Sequence, residues 1–325
     1  MRLRLVPHGT KIDFLKHWKI TAIISIVGFL LSAFAFITPG LNYGIDFRGG
    51  SVVMVDTPEA VDVGEYRAAL AGLDLGDFAV TELTDPGAEL TGVQKNTVLI
   101  KLEQESNDPA IQQDKLSLVT STLKTSFAGL TVLSTESVGA KVSGELLRTG
   151  LMAVVAAALS MLVYIWLRFE WQFAVGAIVA LIHDMGWTLG VLVFTGYEFN
   201  LAIVAALLTI VGYSINDTVV VFDRQRENLR KFKTTPLKDV LNLSLNETLS
   251  RTVMTSVTTF LALLALFIFG GDVIRGFVFA MMWGVLIGTY SSIFVASVLV
   301  YMLDVKRDWD KKAPAAGTKF SNIDA

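Results

Sequence analysis

Asp217 is the residue of this chain best placed to do chemistry, because it sits in the apolar run Val211-Gly212-Tyr213-Ser214-Ile215-Asn216-Asp217-Thr218-Val219-Val220-Val221-Phe222. An aspartate at mid-bilayer is unfavourable by roughly 2.5–3.5 kcal/mol on insertion scales, so such side chains turn to a cavity or partner and serve ion or proton paths. The next apolar run opens with Ser244-Leu245-Asn246-Glu247-Thr248-Leu249-Ser250-Arg251-Thr252. Ser244 and Glu247 have capping-box spacing, which starts a helix there and carries Arg251 about two turns in. Asp217 lies a comparable rise from the end of its own run, so the two can face each other. A paired arginine keeps the carboxylate ionised, and its withdrawal in a dry site lets the carboxylate take a proton. The plainer alternative has Asp217 bonding a neighbouring helix while Arg251 snorkels to the interface or pairs with Glu247 at i to i+4.

His183 and Asp184 form a second titratable pair near the middle of another apolar run. Adjacent residues occupy different helical faces, so at most one of them is expected on a polar path. Asn216, Glu247 and Thr255 complete the polar candidates. The motif Gly44-Ile45-Asp46-Phe47-Arg48-Gly49-Gly50 reads as a hinge, with glycines that permit left-handed backbone. It lacks the Lys-Ser/Thr of a phosphate-cradling loop.

These residues need elements that hold them in a membrane. The chain is 53% hydrophobic and 18% charged, against roughly 45–50% and about 25% in soluble domains. It has no cysteine and three histidines, two of which, His8 and His17, fall in the basic N-terminal segment. Disulfides, thiol catalysis and a histidine-rich metal site are therefore not expected. Runs long enough to span, at about 20 residues each, cover residues 18–38, 146–168, 172–195, 199–222, 251–270 and 275–303. The first is too long for a secretory h-region and reads as an uncleaved anchor.

Lys and Arg collect in residues 1–17 (Arg2, Arg4, Lys11, Lys16), at Arg168, in a loop at 223–250 (Arg224, Arg226, Arg230, Lys231, Lys233, Lys238), and in a tail at 304–325 (Lys306, Arg307, Lys311, Lys312). The positive-inside rule makes these segments cytoplasmic, with both termini inside. Residues 39–145 then form an acidic extracytoplasmic domain. Its alternating or β-branched stretches at 51–56, 78–83, 97–102 and 131–138, with helical spacing at 60–71 and 108–128, give the order βαββαβ. The expected fold is a polytopic α-helical membrane protein with six transmembrane helices and one ferredoxin-like α+β domain. Its acidity argues against nucleic-acid binding.

Taken together, the 44–50 motif, Ser137-Val138-Gly139, Gly212-Tyr213-Ser214-Ile215-Asn216-Asp217-Thr218, Val221-Phe222-Asp223-Arg224 and the 244–252 segment resemble the SecF subunits of SecDF protein-export complexes, in the resistance-nodulation-division superfamily. The resemblance implies a bacterial inner-membrane subunit, not an enzyme, that uses a proton gradient (Na⁺ left open) and no cofactor. It would draw unfolded secreted polypeptide from the SecYEG channel after SecA has pushed it in. A SecD partner would supply six more spans, with YajC-type subunits as indirect partners, and Asp217 and Arg251 would carry proton flow. The competing readings are a subunit of a proton-coupled lipid or small-molecule exporter, a scaffold, and an intramembrane aspartyl protease built on Asp184 and Asp217. The last lacks the Gly-x-Gly-Asp signature.

Overall fold

The computed structural model describes residues 7, 9–83, 96–103 and 109–305. His8 and the basic residues Arg2, Arg4, Lys306, Arg307, Lys311 and Lys312 lie outside the described residues. One 3₁₀ turn, Phe14–His17, leads into α1 (Trp18–Ile37), followed by α2 (Ile45–Arg48), β1 (Gly50–Thr57), α3 (Val63–Leu70), β2 (Phe78–Glu82), β3 (Asn96–Glu103), α4 (Pro109–Ser126) and β4 (Thr131–Val138). The remainder is helical: α5 (Ala140–Arg168), α6 (Trp171–Thr195), α7 (Leu201–Lys231), α8 (Leu237–Phe269), α9 (Asp272–Ser291), a π turn at Ser292–Ala296, and α10 (Ser297–Met302).

The four strands pair antiparallel in the order β2-β3-β1-β4, the ferredoxin-like arrangement. Alternation decides its faces: Val53 and Val55 of β1 and Ile100 of β3 point to the side covered by α3 and α4, where they meet Tyr66, Leu70, Val119 and Leu123. Each such fully buried aliphatic side chain contributes roughly 1.5–3 kcal/mol. Asp62 caps α3 by accepting from Gly64 N at 2.6 Å.

Among the described residues six helices are long and apolar enough to cross a membrane. They are unequally enclosed. The share buried within the apolar stretch is 44% in α6, 56% in α7 and 61% across α9 and α10, but 17% in α1, 6% in α5 and 11% in α8. Small residues let the inner helices approach closely. A Cβ on Gly284 of α9 would lie 2.3 Å from Ile210 of α7, and one on Gly288 3.2 Å from Ser214 Cβ.

Residues 223–250, expected as a loop, are mostly helix. α7 continues to Lys231 and α8 starts at Leu237 with Pro236 as its N-cap, leaving a turn of residues 232–236. The reason is that the polar sequence keeps helical spacing: Gln225, Asn228 and Leu229 on α7 and Val240, Leu241, Ser244 and Leu245 on α8 are buried. Ser244 is therefore no cap. Its hydroxyl donates to Val240 O at 2.8 Å in mid-helix and accepts from Asn228 Nδ2 at 3.0 Å.

At this end of the bundle Asp13 accepts from Lys238 Nζ at 2.7 Å and Asn242 Nδ2 at 2.8 Å. The hydrogen bond from Lys238 holds the Asp13 carboxyl below its usual range. Arg168 also reaches Asp223, at 2.8 Å.

Candidate functional site

Asp217 lies on the face of α7 that meets α8 and the π turn. The residue is 7% exposed. Oδ1 accepts from Thr252 Oγ1 of α8 at 2.7 Å, while Oδ2 is buried and meets no donor in hydrogen-bonding geometry among the described residues; the Ser292 hydroxyl lies near the carboxylate but is directed to Gly288 O. The next residue, Thr218, shares a 2.8 Å hydrogen bond with Ser292 in the π turn. Ser292 in turn donates to Gly288 O at 2.9 Å, and Ser256 of α8 meets Thr289 of α9 at 2.6 Å. Asp217 thus sits in a seam of hydroxyls between three helices, at a point where the last of them departs from α-geometry. Such π turns occur frequently at functional sites.

Arg251 does not close on Asp217. It is exposed on α8, and among the described residues no ion pair joins the two, although its charge acts on Asp217 at longer range. One helical step of about 100° separates neighbouring residues, so Thr252 takes the inward position and Arg251 the outward one. Glu247 pairs elsewhere: it accepts from Arg224 Nε at 2.7 Å and Asn228 Nδ2 at 2.6 Å. Asn216 is exposed, and the Thr255 hydroxyl is spent on Arg251 O at 3.1 Å and Thr252 O at 3.0 Å.

His183 and Asp184 are brought together, although adjacent residues occupy different helical faces. Both are buried, and His183 Nδ1 lies 3.0 Å from Asp184 Oδ1. The reason is that α6 runs through the middle of the bundle, with α1, α7 and α9 all packed on it, so two faces are interior. Asp184 Oδ2 accepts from Ser214 of α7 at 2.5 Å and Ser291 of α9 at 2.7 Å. The His183 ring lies against Trp187 and Tyr290, with centroids at 5.4 and 6.0 Å.

Ser214, Thr218, Thr252, Ser291 and Ser292 were not singled out as site residues. Their only sequence signal is a hydroxyl recurring at an inward position of an apolar helix. In the hinge motif, Gly49 and Gly50 have φ of +82° and +133°, while residues 45–48 form one helical turn. Gly44 donates to Phe199 O at 3.0 Å, and Asp46 accepts from Leu201 N at 2.8 Å. Among the described residues no cluster of three or more His, Cys, Asp or Glu is arranged to hold a metal ion.

The family of protein export membrane proteins SecD/SecF, C-terminal part, matches residues 118–306, and the SecD/SecF GG motif matches residues 34–54. The protein translocase subunit SecF of Cereibacter sphaeroides is 52% identical over 100% of this chain and 99% of its own. That of Rhodobacter capsulatus is 48% identical over 97% and 95%. The crystal structure of SecDF, a translocon-associated membrane protein from Thermus thermophilus, superposes with a TM-score of 0.77 at 35% identity, covering 91% of this chain. This chain spans 39% of that SecDF chain. The motif at residues 34–54, the helical region beyond it and identity sustained from end to end all agree, and the chain belongs to the SecF family of protein translocase subunits.

Proposed function

We propose that this chain is the proton-coupling half of an export motor in the bacterial inner membrane. With a SecD partner it draws unfolded polypeptide out of the SecYEG channel late in translocation, without ATP, after SecA has acted; YajC-type subunits join indirectly. The observation that carries the reading is the buried Asp217, with one oxygen held by Thr252 and the other unpartnered. A carboxylate so placed can exchange a proton, because neither of its states is fully satisfied by the surrounding hydroxyls.

The partner is a physical requirement as much as an inherited one. Arg251 is exposed on α8, and α5 and α8 are barely enclosed by the rest of the bundle. A cation on a span needs a polar surface opposite it, which a second bundle of six helices supplies. Both termini are cytoplasmic in this reading, because Arg168, Arg224, Arg226, Arg230 and Lys231 gather at one end of the bundle. The sheet domain then faces the exported chain.

The test is Asp217→Asn, which keeps volume and removes titration. Completion of a stalled export intermediate is followed in sealed membranes without ATP, with and without an imposed proton gradient. Loss of gradient-driven completion in an assembled complex is the expected outcome. Unchanged completion would leave the chain a scaffold.

A further inference from the structure

The geometry points to Asp46 as a positioning residue that ties the sheet domain to α7, the helix carrying Asp217, so that a change at the carboxylate is passed to the domain. This rests on the proton-coupled reading above and adds the route by which it acts.

The first turn of a helix leaves backbone N–H groups without partners. α7 satisfies two of them with side chains. Asn200, its own N-cap, accepts from Ile203 N at 3.0 Å. The other acceptor comes from a segment 155 residues away: Asp46 Oδ2 takes Leu201 N at 2.8 Å. A carboxylate there also complements the positive end of the helix dipole.

Around this bond, residues 42–47 and 196–201 form one unit. Phe199 donates to Asn42 O at 2.7 Å, Gly44 donates to Phe199 O at 3.0 Å, and Asn42 Nδ2 donates to Gly196 O at 3.2 Å. The rings of Tyr43, Phe47 and Phe199 lie 5.5 to 6.4 Å from one another. Gly44 makes the approach possible, since a Cβ there would lie 3.3 Å from Asn200 Cβ.

β1 starts directly beyond this unit, across Gly49 and Gly50. Both have left-handed φ, and a Cβ on Gly50 would lie 2.5 Å from Leu102 O. The sheet domain is therefore joined to the α7 N-terminus through two glycines, with the Lys101–Glu198 ion pair as a second tie. From Leu201 to Asp217 the helix rises roughly 24 Å at about 1.5 Å per residue. A hydrogen-bonded rod of that length transmits an axial shift to its end, and among these contacts Asp46 is the one that bonds the first residue of the helix itself.

The chain has no cysteine, so a labelled pair is unambiguous within it, and partner subunits free of cysteine complete the complex. Glu65→Cys on α3 and Val273→Cys on α9 are both exposed. Spin labels placed there report the distance from domain to bundle in the complete complex, reconstituted in vesicles with and without a proton gradient. The distance is expected to shift with the gradient in the parent. The shift is lost in Asp46→Ala and retained in Asp46→Asn, whose Oδ1 still caps.

Leu201→Pro removes the same bond from the other side. Proline is favoured at the first helical position, and Asn200 before it is already extended. It should abolish the shift as Asp46→Ala does, while proton uptake into the vesicles persists in both. A shift that survives both variants, or that is missing in the parent, overturns the proposal. So does failure of both variants to assemble, which would make the bond merely structural. None of these outcomes coincides with Asp217→Asn retaining gradient-driven export, which would overturn the proton-coupled reading itself.

Discussion

The two carboxylates inside the bundle, Asp184 and Asp217, are treated in opposite ways by their surroundings. Asp184 is fully buried, and both its oxygens are engaged, by His183, Ser214 and Ser291. Asp217 is almost as deep, yet one oxygen has a single hydroxyl donor and the other has none among the described residues. A carboxylate with both oxygens hydrogen-bonded to neighbouring helices fastens those helices together. One left half satisfied has a reason to change state. Burial and charge are shared by the two acids; the count of donors is what differs between them.

The comparison can be broken most directly by exchanging each acid for its amide. Asp217→Asn should reduce gradient-driven completion by an order of magnitude or more with assembly intact. Asp184→Asn should keep most of that activity, because an amide can still accept from Ser214 or Ser291. Equal loss in both variants would erase the distinction. Asp184→Leu is the next largest effect: it strands the Ser214 hydroxyl and His183 Nδ1, while Ser291 keeps Gly288 O at 3.1 Å, and should lower stability by roughly 2–4 kcal/mol on summing the interhelical bonds and the unpaired groups, read as thermal unfolding of the purified complex.

Gly288 sits where α9 approaches both acids. A Cβ there meets Ser214 Cβ at 3.2 Å, so Gly288→Ala should move the two helices apart by a few tenths of an ångström and lower stability by about 1 kcal/mol, with Ser214 loosened from Asp184 in difference spectra. Thr252→Val sharpens the other side of the comparison. It removes the Thr252 hydroxyl that donates to Asp217 Oδ1, which costs about 0.6 kcal/mol for a typical interhelical bond. The gradient required for half-maximal completion should shift, while assembly stays unchanged.

The smallest effect lies outside the spans, at Asp13. Its carboxyl is held below the usual range by Lys238, so the folded state binds a proton less readily than the unfolded one. The contribution is present above the ordinary carboxylate pKa of about 3.9 and is lost as pH falls through the lower folded value. Amide exchange at Ile12 and Leu15, whose N–H groups bond Asn246 Oδ1 at 2.9 Å and Asn242 Oδ1 at 3.2 Å, should quicken over that fall beyond its intrinsic pH dependence. Asp13→Asn should flatten the excess.

Much of the architecture was legible from residue order. The period-two run at 131–138 coincides with β4, Thr131–Val138, because alternation commits a strand to one buried face whatever it packs against. Six spans follow from apolar length, because lipid demands internally satisfied backbone. The helical stretches on either side of residues 232–236 were hidden by their polarity, because their buried residues Gln225, Asn228 and Ser244 are polar groups that bond one another or Ser297. Asp217 stood out as a charge in an apolar run; the identity of its neighbour did not. Arg251 and Thr252 differ by one position, and it is Thr252 that hydrogen-bonds the carboxylate.

What the sequence determined by itself is therefore the inventory: a membrane chain of six spans, a ferredoxin-like domain between the first two, and an acid where acids are unfavourable. Each is set by local periodicity or by transfer free energy, which depend on a residue and its near neighbours. Only the tertiary structure decided which acid is satisfied, that His183 and Asp184 are both interior, and that Asp46 reaches the N-terminus of α7. Those outcomes depend on how each helix is rotated and on which backbone groups it leaves for others to fill, and rotation is set by packing among helices far apart in the chain.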